Sequence, residues 1–349
     1  MTAKTIEPIR VGLAGCGGVA QIIHLPILSQ TPDVNVIALC DMELRKASVV
    51  ANKFNVPHTF AAIGEMLDAV ELDVVFILAP NNLHLPMSLI ALKKGVHIFI
   101  EKPAARNAFE ARRIAEAAKA ANRHVMVGMQ NRFRADFLAI KSFLDAGELG
   151  DIFLGKVGWL QPIFHSIKQP WVFNKNISGG GVLLDLGIQL LDLFWWLTGK
   201  PKITSATAIR YQMRDQIDVE DFMAAFIKFE NNISLMSEFS WEIPIAKDRF
   251  YMELYGHDGT CTLNPLRVQK VWNGQLLNIT PEIKESSQNL FKKAYEKEIM
   301  HFINFLRGRV SSLESGIDDA INVLQMTDAL YRSMEENQEI YLQNGSIRP

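Results

Sequence analysis

The feature that most restricts this chain is a glycine turn set between an apolar strand and a helix start, Arg10-Val11-Gly12-Leu13-Ala14-Gly15-Cys16-Gly17-Gly18-Val19-Ala20. Gly15 permits a tight bend. Gly17 lets the backbone approach a pyrophosphate, and Ala20 lets the helix lie close to the strand. Gly18 and Val19 open the helix, whose unpaired N–H groups and positive dipole end suit phosphates. A second apolar run, 34–40, ends on Asp41. That acid lies about 20 residues past the turn, where a carboxylate accepts from both ribose hydroxyls. Glycines alone would also suit a purely structural turn. Strand, glycine turn, helix, strand and acid in that order predict a dinucleotide site.

The first third continues the alternation. Helices are expected over 19–29, 43–54, 64–69, 84–94 and 107–121. Near-continuous apolar runs over 73–79, 96–100 and 125–127 read as strands covered on both faces. Strands alternating with helices predict a doubly wound parallel sheet, with ligands beyond the carboxyl ends of its strands. The segments following those ends are 15–20, Asp41, 80–84, 101–103 and 128–132. The pattern changes after Gly128. Alternating runs over 153–159, 203–209, 222–229, 233–241 and 250–255, several separated by tight-turn signals, predict a mostly antiparallel sheet. The fold class is therefore α/β: a dinucleotide-binding domain over 1–127, then an α+β domain with an open sheet over 128–349. Two amphipathic helices, 294–306 and 316–335, close the chain, the last expected to pack back on the first domain. Phe222, Phe226, Phe239 and Trp241 exceed what one core face needs, so the outer sheet face is expected to join copies into a homodimer or homotetramer.

Two further segments carry chemistry. Glu101-Lys102-Pro103 follows a buried strand directly, which puts Lys102 at the mouth of the cleft. A lysine there donates to a carbonyl or alkoxide oxygen, and partial desolvation suits it to acid–base work. Taken alone, a surface lysine at a strand end is the commoner case. Ser178-Gly179-Gly180-Gly181 precedes an apolar helix over 182–197, with Ser178 as its expected cap. Asp185, Gln189 and Asp192 share one face of that helix. A polar stripe on so apolar a helix needs partners or a wet cavity. Asp185 and Gln189 are expected in a substrate pocket, and Asp192 as a structural hydrogen bonder.

Together these segments resemble the Gfo/Idh/MocA family of NAD(P)-dependent oxidoreductases, in the layout of glucose–fructose oxidoreductase and inositol dehydrogenase. The resemblance covers nearly the whole chain. It rests on the glycine turn, Pro80-Asn81-Asn82-Leu83-His84, Glu101-Lys102-Pro103 and Gly179-Gly180-Gly181-Val182-Leu183-Leu184-Asp185-Leu186-Gly187. It implies a Rossmann domain, an open-sheet α/β domain, and an active site between them. Lys102 matches the family lysine beside the nicotinamide. Asp185 matches the aspartate on the helix after the glycines. Ala79, Pro80, Asn81 and His84, with Glu101 and Pro103, match segments along the cofactor. Trp171 matches a tryptophan near the nicotinamide, although Val172 stands where arginine often follows.

The departure is Gln189, where the family's sugar and polyol dehydrogenases usually carry a histidine base. Glutamine does not take up a proton near neutrality. Lys102 is then the first candidate for proton transfer, with His165 and Tyr251 behind it. The expected function is hydride transfer between NAD and a carbinol or carbonyl carbon of a sugar, polyol or derivative. Arg132, His165 and Trp171 are expected to help line the substrate site. A dinucleotide-binding regulator with little or no turnover is the alternative that Gln189 raises. Asp41 favours NAD by repelling a 2′-phosphate, and Arg45 softens that preference enough to leave NADP open.

Charge and cysteine content exclude other classes. Lys and Arg number 36 against 38 Asp and Glu, so nothing draws the chain to nucleic acid or to an anionic membrane. Cys16, Cys40 and Cys261 show no metal-ligand or redox spacing. Buried reduced thiols and an N-terminus without an apolar signal core lead to the expectation of a cytoplasmic protein.

Overall fold

The computed structural model describes residues 7–162, 170–214, 217–343 and 346–347. The chain divides into two compact units. The first comprises residues 1–105, 109–130 and 292–320, and the second 106–108, 131–291 and 321–349.

The first unit contains a six-stranded sheet built from β1 (Ile9–Ala14), β2 (Val34–Cys40), β3 (His58–Phe60), β4 (Val74–Ile77), β5 (His97–Ile100) and β6 (Val125–Val127). Its order is β3-β2-β1-β4-β5-β6, and every pairing is parallel. The short strand β3 escapes sequence reading because it has only three residues, none of them buried. Strand β4 is buried along its whole length, as its apolar run requires. Phe76 of β4 stacks on Phe99 of β5 with ring centroids 4.7 Å apart, and both rings meet Phe302. The helix Asn81–Lys93 begins three residues before its expected start, because Pro80 already stands at its N-cap.

The amino ends of these strands hold a cluster of charged groups around a cavity of about 530 Å³ lined by Arg10, Asp73, His97, Arg123 and Arg307. Arg10 is spent on Asp73 and Glu71. The His97 ring lies parallel to that of His124, with centroids 5.3 Å apart. Burial, then the positive charge of His124 and Arg123, presses His97 down to about 4.

The second unit is built on a ten-stranded sheet. Its strands are β7 (Ile152–Pro162), β8 (Ile203–Tyr211), β9 (Phe222–Phe229), β10 (Ser234–Ile243), β11 (Arg249–Gly256), β12 (Gly259–Leu263), β13 (Arg267–Trp272), β14 (Gln275–Asn278), β15 (Ile340–Gln343) and β16 (Ser346–Ile347). The order is β14-β13-β12-β11-β7-β10-β9-β8-β15-β16. All pairings are antiparallel except β7 with β10. The helix Ile188–Leu197 packs on one face of it. A Cβ added at Gly155 of β7 would come within 2.1 Å of the Phe194 ring, so glycine sets the closeness of that packing. By length and composition the segment Lys175–Leu197 could cross a membrane, but 83% of its most apolar window is buried within the chain. Phe239 and Trp241 lie on the covered face. They therefore drop out of the expected outer patch. The exposed apolar positions opposite are Ile209 (55%), Phe226 (37%) and Met236 (47%).

The half-buried His97 has a consequence for stability. An unfolded histidine titrates near 6.5. Between 6.5 and about 4 the unfolded chain therefore binds the extra proton, and stability falls as pH drops through that window. Thermal melts at stepped pH are expected to show a shallower loss over that range for His97→Gln than for the parent.

Candidate active site

In the first unit, strand order reverses between β1 and β4, so their carboxyl ends open a crevice. The glycine turn leaves the end of β1. Gly15 has φ +104°, and a Cβ there would lie 2.5 Å from the carbonyl oxygen of Leu78. Only glycine fits that close crossing of two strand ends. Gly17 and Gly18 have nothing within 4 Å of a Cβ position, which leaves open ground before the helix. Val19 and Ala20 follow within it, and Ala20 is buried. This cradle fits a pyrophosphate.

Asp41, next along the edge, accepts from the Cys16 N–H at 2.9 Å and the Glu43 N–H at 3.0 Å. Its carboxylate also pairs with Lys46 Nζ at 2.9 Å. The cation placed at Asp41 is thus Lys46, whereas Arg45 is an exposed residue one position earlier. Lys46 shares the first turn of the helix Leu44–Phe54. A helical wheel through that turn was the signal for it.

Lys102 leaves the end of β5, half-buried, through a cis peptide to Pro103. Its backbone is held on both sides. Glu101 Oε2 accepts from the Lys102 N–H at 3.1 Å. The Pro103 carbonyl lies 2.8 Å from His84 Nδ1, whose other nitrogen lies 2.8 Å from the Ala79 carbonyl. Glu101 Oε1 in turn meets His24 Nε2 at 2.7 Å. Burial works to raise the Glu101 carboxyl. The bond to His24 and the neighbouring Lys102 outweigh it and hold the group below the usual carboxylate range. Burial also lowers His84, against the pull of the two carbonyls. The side chains of Glu101 and His84, expected along the cofactor, therefore turn inward and bind protein. They do so because a strand end leaves backbone groups that buried side chains must satisfy. Ala79 and Pro80 stay half-buried at the end of β4, and Asn81 is buried in the first helical turn.

In the second unit, Asp185 sits in a π-helical turn, Leu183–Gly187, that runs into the helix Ile188–Leu197. Its Oδ2 accepts from Trp241 Nε1 at 2.9 Å. Gln189 is buried, and its Nε2 donates to the Asp185 carbonyl at 3.0 Å. Ser178 does not cap this helix. Its hydroxyl donates to the Asn174 carbonyl, closing a separate short turn. The cap is Glu220, buried, which accepts from the Gly181 N–H, the Leu183 N–H and the Tyr331 hydroxyl. A Cβ at Gly180 would lie 1.9 Å from the Tyr331 hydroxyl, and one at Gly181 1.9 Å from the Glu220 carbonyl oxygen. The glycine run is the space that this cap needs.

Two expected site residues change character. Arg132 is wholly buried, and its fork is on Asp192, with Nε at 2.9 Å and Nη2 at 2.5 Å from the carboxylate. It is a core ion pair, not a lining residue, and Asp192 is the structural group expected. Tyr251 donates to Glu238 at 2.7 Å, and burial with that bond drives its hydroxyl up, which unfits it as a base. Trp171 is half-buried in the turn Pro170–Phe173. His165 lies outside the described residues.

The chain is similar to known proteins along most of its length. An oxidoreductase family model with an NAD-binding Rossmann fold matches residues 9–129, and a GFO/IDH/MocA C-terminal domain model matches 137–262. A D-glucoside 3-dehydrogenase of Escherichia coli is 27% identical, over 98% of this chain and 99% of its own. A scyllo-inositol 2-dehydrogenase (NAD(+)) of Bacillus subtilis is 25% identical, over 90% and 91%. The solved structure of a levoglucosan dehydrogenase with NADH and levoglucosan superposes with a TM-score of 0.85 at 21% identity, over 97% of this chain and all of that one.

The buried pair offers a direct check. Asp192→Asn would remove the carboxylate charge that the buried Arg132 fork meets. Urea unfolding is expected to show a loss of about 3–5 kcal/mol.

Proposed function

The chain belongs to the GFO/IDH/MocA oxidoreductase family, and from that premise we propose that it moves a hydride between NAD and a carbinol or carbonyl carbon of a sugar, polyol or derivative. The observation that carries this reading is the placement of Lys102. It leaves β5 at the carboxyl edge of the sheet whose β1 end bears the glycine turn, and its backbone is fixed by two buried side chains. Bound NAD supplies the hydride acceptor or donor. The glycine turn receives the phosphates, and Asp41 accepts from the ribose hydroxyls. Lys102 gives a proton to the carbonyl oxygen in reduction and takes it back in oxidation. Asp185 and Gln189 orient substrate hydroxyls, with Trp171 beside them. The Gln189 amide is not a base, so the proton's path runs through Lys102.

Relatives named as sugar and inositol dehydrogenases support this substrate class. Gln189 supports a second reading, a dinucleotide-binding regulator without turnover. One assay separates them. The parent is expected to oxidise or reduce at least one member of a sugar and polyol panel, followed at the NADH absorbance. Lys102→Met is expected to lower kcat at least 100-fold, on the scale of a lost general acid, with NADH still bound. A parent that binds NADH and turns over no member of the panel favours the regulator.

A cytoplasmic location belongs to the same proposal and suits three buried free thiols. So does a homodimer or homotetramer joined through the open sheet. Ile209, Phe226 and Met236 lie on three adjacent strands and form an apolar patch. Met236→Glu would bury a charge in that interface. Light scattering after size exclusion is expected to show the parent as a multimer and this variant as a monomer.

A further inference from the structure

We propose that His24 and Glu101 form a buried brace that positions Lys102, joining the helix that follows the glycine turn to the segment that carries the lysine. The inference rests on the reading of Lys102 as the proton-transfer group. It adds a positioning residue, His24, to which that reading gives no part.

The two residues are 77 positions apart in sequence and meet at 2.7 Å. His24 ends the π-helical turn Ala20–His24, directly after the glycines. Glu101 follows β5. Between β1 and β5 in the sheet lies β4, so the bond ties the two sides of the crevice together over that strand. His24 is 0% exposed. Its ring stands edge-on to Phe76, Phe99 and Tyr295, with centroids 5.7, 5.5 and 6.2 Å away. Packing so close to three rings fixes the direction of Nε2.

The direction of this bond follows from the other nitrogen. His24 Nδ1 is buried and has no hydrogen-bond partner among the described residues. The ring's one hydrogen bond therefore runs from the Nε2–H to Glu101 Oε1. This fixes the carboxylate plane and aims Oε2 at the Lys102 N–H. Pro103 has no N–H, and its carbonyl is already matched to His84. The Lys102–Pro103 backbone is thus held at its N–H and at its carbonyl. The bond to His24 is what keeps the first of these in line. A reacting group shifted by about 1 Å loses about 100-fold in rate. A ring buried this deeply, with one nitrogen spent on the residue before the lysine, has the means to prevent such a shift.

Two variants of His24 separate the donor from the packing. His24→Phe keeps a ring among Phe76, Phe99 and Tyr295 and removes the donor. His24→Gln gives up the ring and keeps an N–H at about the reach of Nε2. Amide hydrogen exchange of Lys102 in the NADH-bound protein reads the brace without turnover, and Pro103 adds no amide to confuse the signal. Exchange is expected to quicken at least tenfold in His24→Phe and to return close to the parent rate in His24→Gln. On a substrate from the panel, His24→Phe is expected to lower kcat about 100-fold, with KM and the NADH Kd within threefold of the parent. His24→Gln is expected to recover most of the loss. Unchanged exchange in His24→Phe overturns the brace, as does equal damage in both variants or a loss confined to NADH affinity. A Lys102→Met protein that keeps full turnover removes the premise instead. A Lys102→Met protein that is dead beside a fully active His24→Phe removes the brace alone.

Discussion

Strand and helix ends leave backbone N–H and carbonyl groups that the regular ladders do not use, and burying them unmet costs free energy. This chain meets that constraint with ionisable side chains, most of them buried, at each place where chemistry is expected. Asp41 takes the Cys16 N–H, Glu101 takes the Lys102 N–H, and His84 lies between the carbonyls of Ala79 and Pro103. Glu220 takes the N–H groups of Gly181 and Leu183. Each contact makes a turn rigid that would otherwise be a loop. Rigid turns at strand ends are what let a few side chains hold a fixed direction.

The same constraint explains the glycines. Gly15 is needed because β1 and β4 end side by side, with the Leu78 carbonyl in the way of any Cβ. Gly180 and Gly181 are needed because Glu220 and Tyr331 come up against the helix start. The first case brings the turn close enough for a phosphate to approach it. The second frees the helix from a serine cap and replaces it with a buried carboxylate. In neither case is the glycine there for flexibility.

Period and punctuation in the sequence were enough to find the parallel sheet, the carboxyl-end segments and the long strands β7 to β11. Those signals are local. Tertiary pairing is not, and the differences fall there. Lys46, which sequence reading did not single out, meets Asp41, because the helical turn decides which cation returns to the strand end. Arg132 looked like a cleft residue because it follows a strand end, but its partner Asp192 is 60 residues away. His24 carried no motif at all. Its place becomes visible only once β4 and β5 bring Phe76, Phe99 and Glu101 to it. Strand β3 and the hairpin β13–β14 were too short or too exposed to show a period.

Gln189 shows how far local chemistry can limit a functional reading. An amide at that position presents a donor and an acceptor but no basic site. Its Nε2 is engaged with the Asp185 carbonyl, in the π-helical stretch where backbone pairing departs from the regular ladder. A histidine in its place would have carried protons. The glutamine instead ties the turn that holds Asp185, whose carboxylate is tied in its turn to Trp241. On the proposed reading Gln189 orients and carries no proton, and proton transfer falls to Lys102. On the same reading, the buried polar contacts around Lys102 hold the direction of the one group left to move the proton. Where one group alone moves the proton, its direction has to be held firmly.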